Sequence, residues 1–368
     1  MGDERGLPST MLVLRMPAGR AGLEVDDEAP VPTPDPTDVI VRVTYAGLCG
    51  TDRHIWEHDE WAAARVAPGT VVGHELMGRV AAVGTAVDRI RPGDRVSAEG
   101  HIGCGTCRTC RTGSMHICPS VDIIGVDRDG CFGEYVRIPA HNVWPVERSV
   151  PDHHAVLMDP LGNAVHAVDV GEVSGCSVLI TGAGVIGLLA AAVARLQGAD
   201  RVVVSDVDPE RLAIARDFGA DVTVDARDPD RLIDIRRATA GGADVLLEIS
   251  GAPSGLADGL AGLRNGGRAA LLGLPPVPVE IDLAEQVIFK GLSLHGVNGR
   301  QMFRTWYQTE SIVRSGRIDL DRLVTGRFPV AQPERAFAAL DDPGTLKVLL
   351  DVGASADGGH GSAGGGAS

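Results

Sequence analysis

A glycine-rich turn between an apolar strand and a helix constrains the fold of this chain more than any other feature. The residues CSVLIT at 176–181 predict a strand, and VIGLLAAAVARLQG at 185–198 predict a helix. G-x-G-x-x-G glycines at such a turn permit a tight bend, a close approach of pyrophosphate to the backbone and close packing of helix on strand. The free N–H groups at the helix start favour phosphate. The pattern predicts a dinucleotide site with the cofactor-binding residues Gly182, Gly184, Val185, Ile186 and Gly187.

Asp206 ends the next apolar run, RVVVSD, nineteen residues after Gly187. A carboxylate at this position accepts hydrogen bonds from the adenosine ribose and repels a 2′-phosphate, so it favours NAD over NADP. Arg211 is a second cofactor-binding candidate, although its charge would favour the extra phosphate of NADP. The ordinary alternative is a flexible glycine turn followed by a surface Asp, and the strand–turn–helix context argues against it.

The two halves of the chain differ in their hydrophobic patterns. Short Val/Ile runs separated by Pro and Gly fill the first half and predict a β-rich unit. Strand-like and helix-like segments alternate in the second half, which predicts an α/β unit with a doubly wound parallel sheet of the Rossmann type. The predicted parts are a β-rich catalytic domain at 11–165, a Rossmann domain at 166–296, a return to the first domain at 297–352 with a helix at 301–315, and a disordered Gly/Ala/Ser tail at 353–368.

The bulk properties exclude several classes of partner. The 368 residues carry a formal net charge of −15, and no basic block offsets this acidity, which argues against nucleic-acid and membrane-surface partners. No apolar run reaches the length of about 18 residues that a membrane span needs, and the first residues lack the apolar stretch of a secretory signal. We expect a cytoplasmic location, in which thiols stay reduced.

Four of the seven cysteines form a C-x2-C-x2-C-x7-C cluster at Cys104, Cys107, Cys110 and Cys118. Four thiolates this close can surround one tetrahedral Zn²⁺ and leave no open position, so the cluster predicts a structural zinc site. An iron–sulfur cluster and disulfides are the alternatives. The two cysteines at 131 and 176 are interpreted as small buried apolar residues.

Three further features suggest a second metal site. Cys49 lies in GLCGTDRH, His74 and Glu75 follow an apolar segment, and Asp159 lies in MDPLGNAVH. Each has an ordinary alternative: a buried cysteine, a hydrogen-bonded histidine or a helix-capping aspartate. Together, upstream of a dinucleotide domain, they predict a catalytic zinc with about three protein ligands and one open position.

These motifs stand in the order found in zinc-dependent medium-chain dehydrogenases, which the chain resembles from about residue 11 to 352. It is most similar to their L-threonine 3-dehydrogenase subfamily, through CGTDRHIWEHDEW, SAEGHIGCGTC, GVDRDGCFGEY, DPLGNAVHA, VIFKGLSLHG and GRQMFRTWY. The resemblance implies a GroES-like catalytic domain and a homotetramer. It also implies a catalytic zinc on Cys49, His74 and Asp159, with Glu75 beside the metal.

The resemblance further implies NAD-linked oxidation of a secondary hydroxyl on a small polar substrate, namely L-threonine to 2-amino-3-oxobutanoate. Thr51 and His54 would carry the proton from the hydroxyl to solvent, His101 would lie near the substrate, and Arg300 would contact either pyrophosphate or a substrate carboxylate. Three positions depart from the subfamily pattern: Asn298, Gln301 and Arg304.

Two other functions compete. One is a dehydrogenase for a polyol or vicinal diol such as sorbitol or 2,3-butanediol, which would use the same zinc and relay residues. The other is a zinc-stabilised dinucleotide-binding protein without activity. Because Cys49, Thr51 and His74 are all present, the sequence favours an enzyme.

Overall fold

The computed structural model describes residues 6–353 as an α/β protein with two large sheets. The strands are β1 (Thr10–Arg15), β2 (Glu24–Pro30), β3 (Asp38–Gly47), β4 (Glu75–Val83), β5 (Arg95–Ala98), β6 (His101–Ile102), β7 (Asp122–Ile123), β8 (Tyr135–Pro139), β9 (Val143–Pro145), β10 (Ser177–Thr181), β11 (Arg201–Asp206), β12 (Val222–Asp225), β13 (Ala243–Glu248), β14 (Leu263–Leu271), β15 (Ser293–Gly296), β16 (Val324–Pro329) and β17 (Lys347–Asp351). The helices are α1 (Gly50–Glu57), α2 (Glu60–Arg65), α3 (Arg108–Arg111), α4 (Asp152–Val156), α5 (Met158–Gly171), α6 (Val185–Leu196), α7 (Pro209–Asp217), α8 (Arg231–Ala238), α9 (Pro253–Gly262), α10 (Arg304–Ser315) and α11 (Pro333–Ala338).

The second half of the chain forms a six-stranded parallel sheet in the order β12-β11-β10-β13-β14-β15. Its central strands are continuous apolar runs such as Val202–Val204, all fully buried, as expected where helices cover both faces. The strand order reverses between β10 and β13, and ligands of such sheets bind at this switch point. The predicted Rossmann-type sheet is confirmed.

The first half forms a second sheet in the order β16-β17-β3-β4-β5-β9, with β8 also paired to β3. The two strands β16 and β17 come from the return segment, and β17 pairs antiparallel with β3, Leu349 opposite Gly47. The chain therefore leaves the β-rich unit, builds the parallel sheet and comes back to complete the first sheet.

The predicted division at residue 165 falls inside helix α5, so a continuous helix joins the two units. The helix predicted at 301–315 begins later, at Arg304. The predicted tail lies outside the described residues from 354 onward. Within the part of the chain that is described, no helix is long and apolar enough to cross a membrane.

Gly73 fixes the backbone just before His74. Its φ is +93°, and a Cβ built on it would lie 2.1 Å from the ring of Phe132. Its carbonyl accepts the N–H of Cys131 at 2.9 Å, which ties it to the loop after β7. The position therefore needs both the left-handed conformation and the missing side chain.

We predict that Gly73→Ala lowers the free energy of unfolding by about 3 kcal/mol, because left-handed strain of about 1–2 kcal/mol adds to an overpacking cost of about 1–3 kcal/mol. Gly93→Ala is the matched control. Gly93 has a φ of +96° but nothing within 4 Å of its built Cβ, so only the strain applies there. Denaturant titration of both variants measures the difference, and equal losses would refute the role of the Phe132 contact.

Candidate active site

Strand pairing brings Cys49 and His74 together. In the antiparallel β3–β4 pair, Gly47 lies opposite Glu75, so the residues just after β3 meet those just before β4. Cys49, His74 and Glu75 each offer one ligand atom, and these three atoms all lie within 4.8 Å of one another. A thiol, an imidazole and a carboxylate are the donors that zinc prefers, so these residues fit a zinc ion.

Asp52, which the sequence argument did not single out, supports this cluster. It is fully buried, and its Oδ2 accepts the backbone N–H of Cys49 at 2.8 Å. Its Oδ1 lies 3.7 Å from Nδ1 of His74, which is too far for a hydrogen bond, and both atoms are buried without a hydrogen-bond partner among the described residues. Burial raises the pKa of Asp52 to about 7, although His74 opposes the rise. The sequence signal that could have identified Asp52 is its position directly after Cys49-Gly-Thr.

Both carboxylates beside the cluster are paired with buried cations from the return segment. Lys347 Nζ lies 2.8 and 2.7 Å from the two carboxylate oxygens of Glu75 and also donates to the carbonyl of Leu48. Arg300 Nη1 lies 2.6 Å from Oδ2 of Asp159. Burial raises the pKa of Glu75 even though Lys347 lowers it. Of the two, Glu75 belongs to the close three-residue group, whereas Asp159 faces Arg300.

Arg300 also pairs with another buried carboxylate, that of Glu99. Arg300 donates to both of its oxygens at 2.8 and 2.7 Å, and Trp306 Nε1 donates to it at 2.7 Å. The backbone N–H of His101 donates to Glu99 at 2.8 Å, and the His101 ring nitrogen Nδ1 lies at the same distance. Burial opposes ionisation, but Arg300 and His101 hold the pKa of Glu99 well below its usual range.

The two residues of the predicted relay, Thr51 and His54, both lie on helix α1, directly after Cys49. Thr51 donates its backbone N–H to that thiol, which lowers its pKa, while burial acts more strongly in the opposite direction. His54 follows on the same helix, with a side chain 40% exposed and Nδ1 2.6 Å from Oδ2 of Asp59. The structure thus places the Thr51 backbone beside the thiol and the His54 ring at the solvent edge.

The glycine turn has the predicted geometry. Gly184 is the N-cap of α6, and a Cβ built on Gly187 would lie 1.9 Å from the carbonyl of Gly182, so the third glycine is required for close packing. Asp206 Oδ2 accepts the backbone N–H of Ala183 at 2.5 Å, and Oδ1 accepts that of Asp208.

One cavity of about 490 Å³ connects this turn to the Cys49 cluster. The predicted residues along its wall are Cys49, Glu75, Gly182, Gly184, Val185, Ile186, Gly187, Asp206 and Arg211. Arg53 and Lys347, which were not predicted, also line it. The predicted residue Arg300 is not among the residues that line this cavity, and its guanidinium pairs with Glu99 and Asp159.

The four-cysteine cluster has the spacing of a metal site. Two pairs of sulfurs, Cys104 with Cys110 and Cys107 with Cys118, are each 3.9 Å apart. Thiolates about 2.3 Å from a tetrahedral ion lie about 3.8 Å from each other. Backbone donors, first that of Thr106, lower the pKa of Cys104 to about 6, which favours the thiolate. The cluster fits a closed structural zinc site.

Comparison with known proteins places this site in a family. Residues 35–148 match the Alcohol dehydrogenase GroES-like domain, and residues 185–314 match the Zinc-binding dehydrogenase domain. The chain is 43% identical over 346 residues to an L-threonine 3-dehydrogenase of Symbiobacterium thermophilum, covering 94% of this chain and 98% of that one. It is 45% identical to the L-threonine 3-dehydrogenase of Pyrococcus abyssi, covering 88% and 93%.

Among solved structures, an alcohol dehydrogenase from Escherichia coli CFT073 complexed with NADH superposes with a TM-score of 0.85 at 28% identity, covering 94% of this chain and all of that one. These matches confirm the resemblance inferred from the motifs. The chain belongs to the family of zinc-dependent medium-chain dehydrogenases that includes the L-threonine 3-dehydrogenases.

Proposed function

We propose that this enzyme oxidises the 3-hydroxyl of L-threonine to 2-amino-3-oxobutanoate with NAD. The observation that carries the proposal is the shared cavity, which joins the glycine turn and Asp206 to Cys49 and Glu75. A substrate at the cluster and a nicotinamide in the same cavity can meet directly. The substrate itself is inferred from the curated relatives, which are L-threonine 3-dehydrogenases at 42–45% identity.

The chain supplies ligands and a proton path. Cys49 and His74, with Glu75 or Asp159, would hold a catalytic zinc, which supplies Lewis-acid polarisation of the substrate hydroxyl. The Thr51 hydroxyl would accept the proton of the substrate hydroxyl while it passes its own proton on towards His54, and His54, oriented by Asp59, would release a proton to solvent. Gly182, Gly184 and the start of α6 would bind the pyrophosphate of NAD, with Asp206 on the ribose.

His101 is the proposed partner of the zwitterionic substrate. Glu99 contacts its ring at Nδ1, and the adjacent Arg300 favours the ionised form of that carboxylate. Arg300 is buried and saturated by Glu99 and Asp159, so we propose that it positions these groups rather than reaching the substrate or pyrophosphate directly.

The side chains at the three departures from the subfamily pattern contact other parts of the protein. Arg304 is 60% exposed and pairs with Asp169, while Gln301 accepts a hydrogen bond from Arg304. Asn298 is exposed and donates to the carbonyl of His116 at 3.4 Å. These contacts are on the protein surface or between loops. Asn298 also directly precedes Gly299, which packs against the ring of His101, so the comparison of substrates below is the test of the polyol or diol alternative.

We further propose a cytoplasmic homotetramer. None of the seven cysteines, all of which lie in the described part of the chain, forms a disulfide, and five are proposed zinc ligands, which suits a compartment that keeps thiols reduced. Strand β15 lies at the open edge of the parallel sheet, and the segment before it exposes Leu274, Ile288 and Phe289 at 78%, 67% and 69%. An unpaired edge flanked by exposed apolar side chains favours association between subunits.

Purified enzyme should contain two zinc ions per subunit by elemental analysis. Cys49→Ser and Cys104→Ser each remove one thiol and form a matched pair. We expect Cys49→Ser to fold, bind NAD and lose at least about 100-fold in kcat/KM, whereas Cys104→Ser should lose folding yield. One zinc or none in the wild type, or normal activity in Cys49→Ser, would refute the assignment of the two sites.

The wild type should prefer NAD in steady-state kinetics. Asp206→Ala should weaken the binding of NAD by about 10-fold or more and reduce the preference for NAD over NADP, because the ribose acceptor and the repulsive charge are both lost. Asp206→Asn keeps an acceptor for the Ala183 N–H and separates the charge effect from the loop contact. Arg211→Ala in the Asp206→Ala background should remove the NADP activity gained. A wild type that prefers NADP contradicts the proposal.

Comparing kcat/KM for L-threonine, L-serine, 3-hydroxybutyrate, sorbitol and 2,3-butanediol tests the substrate. L-Threonine should have the highest kcat/KM, since an alcohol without the charged groups leaves buried polar partners unpaired at a cost of about 1–3 kcal/mol. His101→Ala should lower the value for threonine more than for butanediol, and the exposed His141→Ala should change neither. If sorbitol or butanediol is preferred, the substrate assignment is wrong while the dehydrogenase class stands.

A further inference from the structure

A cluster of two histidines and one aspartate lies apart from both metal sites described above. His153 and His154 are on α4, and Asp321 is in a short turn of the return segment just before β16. Nε2 of His153 lies 2.6 Å from Asp321 Oδ1, and Nε2 of His154 lies 2.9 Å from the same oxygen. Two imidazoles from consecutive residues thus converge on one carboxylate oxygen 167 residues further along the chain.

The neighbouring arginines are engaged elsewhere. Arg322 pairs with Asp217 at 2.8 Å, and Arg95 pairs with Asp152, the residue before His153. The ionic contacts recorded for Asp321 come from the two histidines alone within residues 6–353. The side chain of Asp321 is 70% exposed, and those of the histidines are 23% and 17% exposed, so the group opens to solvent.

We propose that His153, His154 and Asp321 form a third, accessory site for a divalent transition metal, and that Zn²⁺ is the ion it binds. The three groups offer one ligand atom each, all within 4.8 Å of one another. Imidazole nitrogen with a carboxylate oxygen suits zinc or nickel, whereas magnesium and calcium prefer oxygen ligands alone.

Metal binding requires only a small rearrangement. Ligands about 2.0–2.1 Å from a tetrahedral zinc are separated by about 3.3 Å. The present Nε2–Oδ1 separations of 2.6 and 2.9 Å are shorter than that by about 0.7 and 0.4 Å, and the Asp321 side chain that would have to move back is 70% exposed. Each neutral imidazole would offer its Nε2 lone pair to the ion and carry its ring proton on Nδ1. With only three protein ligands and water in the remaining position, the site should bind more weakly than the four-cysteine site.

An ion here would join two segments that are distant in sequence. Helix α4 packs on β3 and β4 and directly precedes α5, which carries Asp159. Asp321 belongs to the return segment that also contributes Lys347. Occupancy should therefore stabilise the junction between α4 and the return segment, without requiring any part in the chemistry.

The test uses full-length, zinc-replete enzyme dialysed against micromolar free Zn²⁺, with zinc and protein measured together. Wild type should bind a third equivalent per subunit, and binding should raise its Tm. His154→Gln and Asp321→Asn should each weaken the third equivalent at least tenfold and abolish the Tm shift. His141→Gln, a change at an exposed histidine elsewhere, should keep both.

The proposal is overturned by a wild type that saturates at two zinc ions, or by variants that retain the third equivalent unchanged. The dehydrogenase activity of Asp321→Asn should equal that of wild type, which separates this site from the catalytic one. If the variants lose one of the first two ions instead, the cluster is not an independent site and the proposal fails.

Discussion

The active site depends on buried cations that neutralise buried carboxylates. Arg300 bridges Glu99 and Asp159, and Lys347 holds Glu75, in surroundings that exclude almost all water. An unpaired charge in such a place is costly, and removing one partner of a buried pair typically costs about 3–5 kcal/mol. Both cations belong to the return segment, whereas the carboxylates belong to the first part of the chain. The site is therefore complete only when the chain has come back from the parallel sheet.

This arrangement also sets the charge around a bound metal. Cys49 and the two nearby carboxylates would give an ion an excess of negative charge, and Lys347 and Arg300 offset part of it. A less negative ligand set leaves zinc a stronger Lewis acid. The same lysine lines the cofactor cavity, so one buried ammonium faces both the ligand carboxylate and the space proposed for NAD.

The features that were predictable from sequence are those encoded locally. The glycine turn, Asp206 and the four cysteines each lie in one short segment, and the structure places them as their spacing indicated. Glu99 lies in the quoted stretch SAEGHIGCGTC but was not singled out there, and Lys347 stands in no motif. Both were missed because their partners are 201 and 272 residues away. Arg300 was singled out for its position, but its partners could not be inferred. A buried ion pair leaves no periodic or spacing signal in a sequence.

The two predicted zinc sites also differ in whether their ligands are close together in the sequence. The four cysteines span fifteen positions, so closing that loop costs little entropy and requires no strand pairing. Cys49 and His74 come together only through the register of β3 with β4, which β17 supports from the far end of the chain. The structural ion can thus be bound by a local segment, whereas the catalytic ligands exist as a set only in the complete sheet. Metal binding at Cys49 is accordingly coupled to folding of the whole domain, and the left-handed Gly73 beside His74 is part of that coupling.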